Sequence, residues 1–567
     1  MSVVVASGMP HLIAAPILLP LLSAALMLLV SERHRRWQAG LNVLTCLIGL
    51  AVSAGLLAWV AARDAPLAFG VYLPSNWPVP FGIVLVLDRL SALMLVLTAV
   101  VALSSLLFAL ARWQRAGVRF HPLFQIQLMG LNGAFLTGDL FNLFVFFEIM
   151  LVASYGLLLH GSGRARVQAG LHYIAVNLFA SSLLLVGTAM LYGITGTLNL
   201  ADMAAKLAQI PATDRGLLHA GVALLGVAFL AKAAVWPLNF WLVPAYAAAS
   251  APVAALFAVM TKVGFYAVVR IWTLFFPAAG SDHFFFGANA FVLLGLVTLA
   301  FGSIGVMASQ RLERLVGFSL IVSTGTLFAA VGFGMPALSA GALYYLLGST
   351  LTASAFYLLL ELVERARLGG DEAALADNPD EGAPFVIEPA VLVTAPAGDV
   401  NLDDAEQPLI GRAIPAAMVF LGLGFVVCAL LTAGLPPLST FVAKLVMLIT
   451  VLDPSGLGNE DSSPSIGAWS LVTLLIASGL ASTIALVRLG VRYFWAPQAR
   501  PTPRLRIAEC MPIVLLLSAC AALMVGAGPA LRFTQAAADS LHRPALYIGA
   551  VLSARPVPAP AARAGLP

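Results

Sequence analysis

The sequence predicts an all-α polytopic membrane protein. Of its 567 residues, 61% are hydrophobic and only 10% are charged, whereas soluble domains carry roughly 25% charged residues. Hydrophobic stretches of roughly twenty residues recur along the chain, and each can cross a hydrocarbon core about 30 Å thick as a helix. They predict about 14 transmembrane helices. The stretches begin near residues 11, 41, 82, 120, 139, 171, 217, 250, 284, 311, 338, 413, 467 and 511.

The first stretch, from His11 to Val30, is followed by its basic cluster rather than preceded by it. That order predicts a retained first span and not a cleaved signal peptide. The cysteines form no CxxC pair and lie in or beside apolar runs, so we expect no metal cluster, no disulfide framework and no cofactor. They are Cys46, Cys428, Cys510 and Cys520. The net charge of +4 lies mostly in short loops, which favours membrane topology over a nucleic-acid partner.

Basic residues concentrate in the loops after odd-numbered spans, and loops after even-numbered spans carry few. The positive-inside rule therefore places the odd loops in the cytoplasm and both termini in the periplasm of a bacterial inner membrane. The basic residues of the C-terminal tail run against this bias, although terminal charges weigh less once upstream spans are set. The odd loops contain Arg33, Arg35, Arg36, Arg112, Arg115, Arg119, Arg164, Arg166, Arg311, Arg314, Arg365, Arg367, Arg500, Arg504 and Arg506.

Two segments differ from the spans in composition. Residues 369–411 are acidic, contain no Lys or Arg and are rich in Ala, Pro and Gly, which predicts a disordered cytoplasmic loop. It serves either as a spacer or as a docking strip for a partner subunit. The Ala/Pro-rich tail after Pro544 is also expected to lack structure. The chain then divides into residues 1–119 (spans 1 to 3), 120–283 and 284–492 (two five-helix sets), and 493–567 (last span and tail).

Two spans are interrupted by proline in the same way. Pro237-Leu238-Asn239 interrupts span 7, Pro437-Leu438-Ser439 interrupts span 12, and each interruption has a lysine nearby. If spans 4 to 8 and spans 9 to 13 form two sets, each broken helix is the fourth member of its set. This arrangement is typical of transporters built from inverted repeats.

Few ionisable residues lie deep inside spans: Glu148 in span 5, Lys232 in span 7, Lys262 in span 8 and Lys444 in span 12. A charge at that depth costs about 2.5 to 3.5 kcal/mol on insertion scales, so it normally faces a partner or a water-filled cavity. One interpretation is a proton path, in which Lys232 changes protonation as its partner Glu148 moves. The alternative is a fixed ion pair that only specifies helix packing.

Other residues support these four. Pro237, Pro436 and Pro437 each remove a backbone donor, which leaves carbonyl groups free for water at two hydrated cavities or, alternatively, only kinks the helices. His172 at the start of span 6 either passes protons or is merely interfacial. Asp139, in the turn before span 5, is interpreted chiefly as a helix cap, with a transport role as the alternative.

Asp88 and Arg89 at the start of span 3 are interpreted in the same way as Asp139, chiefly as capping or snorkelling residues. No P-loop, HExxH motif or nucleophile elbow occurs, so covalent chemistry is not expected and the chain is predicted to be no enzyme. The energy source must then be a gradient, which supplies about 2.3 kcal/mol per charge per 100 mV.

Three stretches resemble the proton-translocating membrane subunits shared by respiratory complex I and the Mrp/Pha-type cation/proton antiporters. They are Gly138 to Glu148 (GDLFNLFVFFE), Lys232 to Leu242 (KAAVWPLNFWL) and Gly434 to Lys444 (GLPPLSTFVAK). The resemblance covers spans 2 to 14 and implies a fourteen-helix fold. It also implies Glu148 and Lys232 as a coupling pair, Lys262 as the central relay and Lys444 as the exit-side proton group.

Departures from the shared pattern indicate which branch the chain resembles. Relatives in complex I usually place a histidine at the position of Asn239 and often another near Leu256, and this chain has neither. Many relatives also carry a histidine and a lysine in span 11, where Ser349 and Ala353 stand, so water would have to bridge there. The motif wording, the lysine in span 12, the acidic loop and the length resemble the D-type antiporter subunit.

The expected function is thus a secondary transporter subunit that exchanges protons for Na+ or K+ together with other subunits of an antiporter complex. The sequence indicates neither which of the two cations is exchanged nor where the cation crosses. Two alternatives remain. One is a proton-pumping module of a redox-driven complex, and the other is a structural subunit whose charges only hold helices together.

Overall fold

The computed structural model describes residues 11–64, 67–207, 209–278, 288–368, 415–453, 464–495 and 505–556. Within these ranges the chain is almost entirely helical, and 12 helices are long and apolar enough to cross a membrane. The prediction of an all-α polytopic membrane protein is therefore confirmed at this level. The acidic segment 369–411, expected to be a disordered loop, lies outside the described residues.

The helices follow one another along the chain with short connections. The first half contains α1 (Ala15–Leu29), α2 (Arg35–Ala61), α3 (Arg89–Ala111), α4 (Phe120–Leu136), α5 (Leu140–Leu158), α6 (Arg164–Thr195), α7 (Leu200–Leu207), α8 (Arg215–Lys232), α9 (Leu242–Ala248) and α10 (Ala251–Ala278). The second half contains α11 (Ala288–Ala308), α12 (Leu312–Gly332), α13 (Pro336–Leu368), α14 (Ala416–Ala433), α15 (Ser439–Leu452), α16 (Ile466–Gly490), α17 (Ile507–Val525), α18 (Ala527–Leu541) and α19 (Pro544–Leu552).

Every hydrophobic stretch predicted from the sequence overlaps a helix of the structure. The seventh stretch corresponds to α8 followed by the short helix α9, and the twelfth corresponds to α14 followed by α15. In both places the helix stops before the proline motif and a second helix starts after it, because proline cannot donate to the preceding turn.

Four helices form the centre of the bundle, since most residues of α3, α10, α12 and α13 are buried. The surrounding helices expose large apolar side chains such as Leu22, Leu293 and Ile476. An outer surface of this kind suits a hydrocarbon environment, where apolar side chains meet no water. The central position of α10 places Lys262 in the interior of the protein.

A two-stranded antiparallel sheet is the main departure from an all-helical chain. β1 (Gly70–Tyr72) pairs with β2 (Leu85–Leu87), with Val71 opposite Val86. The amide of Gly138 also donates to the carbonyl oxygen of Val84 (2.9 Å). Because this connection between spans is not helical, its backbone groups find partners in a hairpin instead.

The expectation that the tail after Pro544 lacks structure is wrong for residues 544–552, which form α19. Pro544 occupies the first turn of that helix, where its missing N–H costs nothing. Tyr547 and Val551 are one helical turn apart and both are buried. Composition suggested a solvated tail, but two apolar side chains at helical spacing anchor the segment to the bundle. Residues 557–567 lie outside the described part.

Close approach of two backbones holds α11 against α12. A Cβ added at Gly325 would lie 2.3 Å from the amide nitrogen of Leu299, and one at Gly295 would lie 2.2 Å from that of Ala329. In a bilayer, helix association depends on such close packing, because burying apolar surface between helices gains little. We therefore expect Gly325→Ala to destabilise the protein by about 1 to 3 kcal/mol through overpacking.

Thermal unfolding of the purified protein measures this loss. Gly422→Ala in α14 is the matched control, since an added Cβ there meets nothing within 4 Å. It should leave the stability unchanged or raise it slightly, because alanine favours helix more than glycine does. Equal stability of the two variants would contradict the close packing of α11 and α12.

Candidate functional site

The four ionisable residues singled out in the sequence lie on four different elements. Lys232 ends α8, Lys262 lies in the middle of α10, Lys444 lies in α15 and Glu148 lies in α5. The three lysines are buried, with exposed fractions of 7%, 0% and 7% in that order, whereas Glu148 is half-buried. Three buried ammonium groups require polar partners, since an unpaired charge inside a protein is costly.

Lys232 finds its partners on α5 and α6. Its ammonium donates a hydrogen bond to Ser181 Oγ (2.9 Å) and lies 4.8 Å from the ring centroid of Phe147, a distance typical of a cation–π contact. A small cavity adjoins it, lined also by Tyr173 and Asn177. The lysine therefore lies beside polar space, with one neutral hydrogen-bond acceptor.

Glu148 lies close enough to interact electrostatically with Lys232. The two side chains nevertheless form no ion pair within 4.0 Å in the described part of the chain, and Glu148 Oε1 is buried without a hydrogen-bond partner there. The arrangement differs from the fixed ion pair considered as the alternative in the sequence analysis. A carboxylate oxygen without a partner can accept a proton or a new hydrogen bond.

The break after α8 has a defined backbone geometry. Ala234 adopts a left-handed conformation (φ 55°), and the amide of Val235 donates to the carbonyl oxygen of Leu230 (3.0 Å). The indole of Trp241 donates to the carbonyl oxygen of Ala231 (3.0 Å). Side chain and backbone thus satisfy carbonyl groups that an uninterrupted helix would satisfy itself.

The break after α14 repeats this geometry two hundred residues later. Gly434 is left-handed (φ 76°), and the amide of Leu435 donates to the carbonyl oxygen of Leu430 (3.0 Å). Pro436 and Pro437 follow, as Pro237 follows the first break. Thr440 Oγ1 donates to the carbonyl oxygen of Leu431 (2.6 Å). The two interruptions therefore share the same pattern of turns, prolines and side-chain donors.

Lys444 donates to a carbonyl group at the second break. Its ammonium lies 2.9 Å from the carbonyl oxygen of Ala433, one of the acceptors that the sequence analysis left free for water. The structure places the lysine in that role instead. Because α14 ends at Ala433, this carbonyl belongs to the negative end of the helix dipole, which stabilises a cation.

Lys262 lies between the two breaks and reaches into the second half of the chain. Its ammonium donates to Ser323 Oγ on α12 (2.8 Å), and Ser323 Oγ lies within hydrogen-bond distance of Ser349 Oγ on α13 (3.0 Å). The three lysines therefore share a chemistry, since each donates to a neutral oxygen of a different helix.

The supporting residues lie apart from the lysines. Asp139 caps α5 and accepts a hydrogen bond from the amide of Asn142 (2.8 Å), the helix-capping role that the sequence analysis gave as its main interpretation. His172 is exposed on α6, with its ring centroid 5.9 Å from that of Phe240. No described hydrogen bond or ion pair joins either residue to a lysine.

Sequence reasoning missed the hydroxyl partners of the lysines and a buried ion pair. Ser181, Ser323 and Ser349 are ordinary helix residues whose neighbours depend on tertiary packing, so a single sequence gives no signal for them. Arg270 donates to Asp88 Oδ2 (2.7 Å), with side-chain exposures of only 7% and 2%. The two residues lie about 180 positions apart, and sequence analysis interpreted each as a span-end residue only.

A further ion-pair cluster lies at the opposite end of the bundle. Arg365 donates to Glu509 (2.8 Å) and lies 3.3 Å from Glu361, while the indole of Trp113 donates to Glu361 Oε2 (2.7 Å). The nitrogen of Arg112 lies 3.5 Å from Glu509. This cluster joins α3, α13 and α17. No group of three or more His, Cys, Asp or Glu residues suited to a metal occurs in the described chain.

The fold and its charged interior define a class of polytopic membrane subunits, and the family model described as "NADH:quinone oxidoreductase/Mrp antiporter, TM" matches residues 137–375. The chain belongs to the family of D-type subunits of cation/proton antiporters. The resemblance noted in the sequence is thereby confirmed, because two sequence relatives and one solved structure match nearly the whole chain.

The D-type subunit of the probable K(+)/H(+) antiporter of Rhizobium meliloti (strain 1021) is 51% identical over 545 residues, which cover 96% of this chain and 98% of the relative. The D-type subunit of the Na(+)/H(+) antiporter of Alkalihalophilus pseudofirmus (strain ATCC BAA-2126 / JCM 17055 / OF4) is 30% identical and covers 96% of this chain and 100% of the relative. A chain of the Mrp complex from Dietzia sp. DQ12-45-1b superposes with a TM-score of 0.77 at 25% identity, covering 96% of this chain and 100% of that one.

Proposed function

We propose that this chain is the proton-translocating subunit of a multisubunit monovalent cation/proton antiporter and couples proton entry to cation efflux. The observation that carries the proposal is the 51% identity, over almost the full length of both chains, to the D-type subunit of a probable K(+)/H(+) antiporter. K+ is therefore the first cation to test, with Na+ second because the relative at 30% identity is named for Na+.

The proposed path runs through the three buried lysines. Lys232, coupled electrostatically to Glu148, is the first titrating group. Lys262 is the central relay and Lys444 the exit-side group. Buried lysines suit this role because their ammonium group loses a proton more readily in a protein interior than in water. The neutral hydroxyl and carbonyl partners support it, since no carboxylate within 4.0 Å holds the described ammonium groups permanently charged.

The proposed architecture has 14 spans, with two inverted five-helix repeats over residues 120–283 and 284–492. The matched geometry of the two helix breaks supports the repeats. In this arrangement both termini lie in the periplasm of a bacterial inner membrane, and residues 369–411 face the cytoplasm. Other antiporter subunits are the expected partners, and the cation crosses with their participation.

Transport by the complete complex in everted membrane vesicles tests the function. An imposed pH gradient should collapse when K+ or Na+ is added to vesicles that contain the complex, and should persist in vesicles that lack it. Parallel titrations with the two salts identify the cation. Quinone-linked proton pumping without a response to either salt would instead support the redox-driven alternative that the shared family model admits.

A further inference from the structure

The span from Lys262 to Lys444 contains no ionisable residue at the positions where Ser349 and Ala353 stand. We propose that, in this chain, protons cross that span along serine and threonine hydroxyls and a water bound between α12, α13 and α15. The inference rests on the proposed function and deepens it by naming the groups that connect two of its lysines.

The path begins with two hydrogen bonds. Lys262 Nζ donates to Ser323 Oγ (2.8 Å), and Ser323 Oγ lies 3.0 Å from Ser349 Oγ. Each hydroxyl both donates and accepts hydrogen bonds. A proton that enters at one hydroxyl can therefore leave from the next after the hydroxyl groups reorient, and neither serine needs to become an ion for long.

A polar cavity of about 20 Å³ continues the path beyond Ser349. That volume holds about one water, and a buried water needs two to four polar neighbours. The hydroxyl groups that line the cavity come from several helices. They belong to Tyr345, Ser349, Thr352, Thr432, Thr440 and Ser482.

Three of these lining residues lead directly to Lys444. Thr440 lies four residues before Lys444 on α15, so the two share a helix face. Thr432 precedes Ala433, whose carbonyl oxygen accepts the hydrogen bond from Lys444 (2.9 Å). On α16, Ser482 shares a face with Gly479, where an added Cβ would lie 3.8 Å from Lys444 Nζ. Three elements thus converge on the ammonium group from the cavity.

An unpartnered hydroxyl supports the same conclusion independently. Ser439 Oγ is buried without a hydrogen-bond partner in the described chain, and it lies 3.3 Å from the position that a Cβ of Gly348 would take. Buried hydroxyl groups nearly always have partners in native proteins. A water next to α13 at Gly348 would supply that partner, and Gly348 immediately precedes Ser349.

Two substitutions of nearly equal size at Ser349 test the path in vesicles that contain the complete complex. Threonine keeps the hydroxyl group and valine replaces it with a methyl group of similar volume. We expect Ser349→Val to slow cation-dependent proton transport by on the order of 100-fold, the lower range for positioned proton transfer, and Ser349→Thr to stay within about threefold of the unmodified protein. The measurement is the initial rate of gradient collapse, normalised to the amount of assembled subunit.

Thr350→Val is the positional control, because Thr350 donates to the carbonyl oxygen of Leu346 in its own helix (2.7 Å) and does not line the cavity. It should transport normally. Equal rates for Ser349→Val and Ser349→Thr, whether both normal or both slow, would overturn the hydroxyl path. Absence of cation-dependent transport in the unmodified complex would instead refute the proposed function, so the two failures are distinguishable.

Discussion

Lys232→Ala should abolish cation-dependent proton transport while the complex still assembles. The ammonium of Lys232 lies at the end of α8 beside a polar cavity, with Ser181 as its acceptor (2.9 Å) and Glu148 as its electrostatic partner. Alanine removes the group that binds and releases the proton. We expect the rate in everted vesicles to fall by at least about 100-fold, measured beside immunodetection of every subunit.

Lys232→Arg separates a titrating role from a fixed positive charge. Arginine keeps the charge but is not deprotonated in proteins, so we expect it to transport no better than alanine. Lys206→Ala is the matched control, because it removes a lysine whose side chain is 40% exposed and paired with Asp202 (2.9 Å). Transport at the normal rate by Lys232→Arg would show that Lys232 acts only as a fixed charge.

Helices were predictable from the sequence because membrane spans are long and uniformly apolar. The two breaks were predictable as well, since proline removes a backbone donor wherever it occurs. The stretches around Lys232 and Lys444 illustrate this, and α8 and α14 both end before the proline motif. Local chemistry alone determines such features, so no knowledge of tertiary contacts is required.

The partners of the charged residues depended on tertiary packing and were not predictable. The sequence suggested a pairing of Lys232 with Glu148, whereas the ammonium donates to Ser181, a residue of α6. Serine and threonine occur throughout membrane helices, so Ser323 and Ser349 carried no distinguishing signal. The helix Pro544–Leu552 was missed for a related reason, because its composition resembles a linker and only the burial of Tyr547 reveals its anchoring.

Asp88→Asn should destabilise the protein by about 3 to 5 kcal/mol, the loss expected when one partner of a buried ion pair is removed. Arg270 donates to Asp88 Oδ2 (2.7 Å) and has a side-chain exposure of 7%. Its other described neighbours are the hydroxyl group of Tyr266 (3.3 Å) and the ring of Tyr547, neither of which carries a full negative charge. Asparagine would still cap α3, so the loss reports on the stranded guanidinium group.

Thermal unfolding of the purified protein measures the effect, and Asp202→Asn supplies the same substitution in a more exposed pair. That control should cost about 1 kcal/mol or less. The double variant Asp88→Asn with Arg270→Leu should recover much of the stability, because it removes the stranded charge as well as its partner. A loss in the double variant as large as the sum of the two single losses would mean that the two residues act independently. In that case the pair could not be what joins the start of α3 to the end of α10.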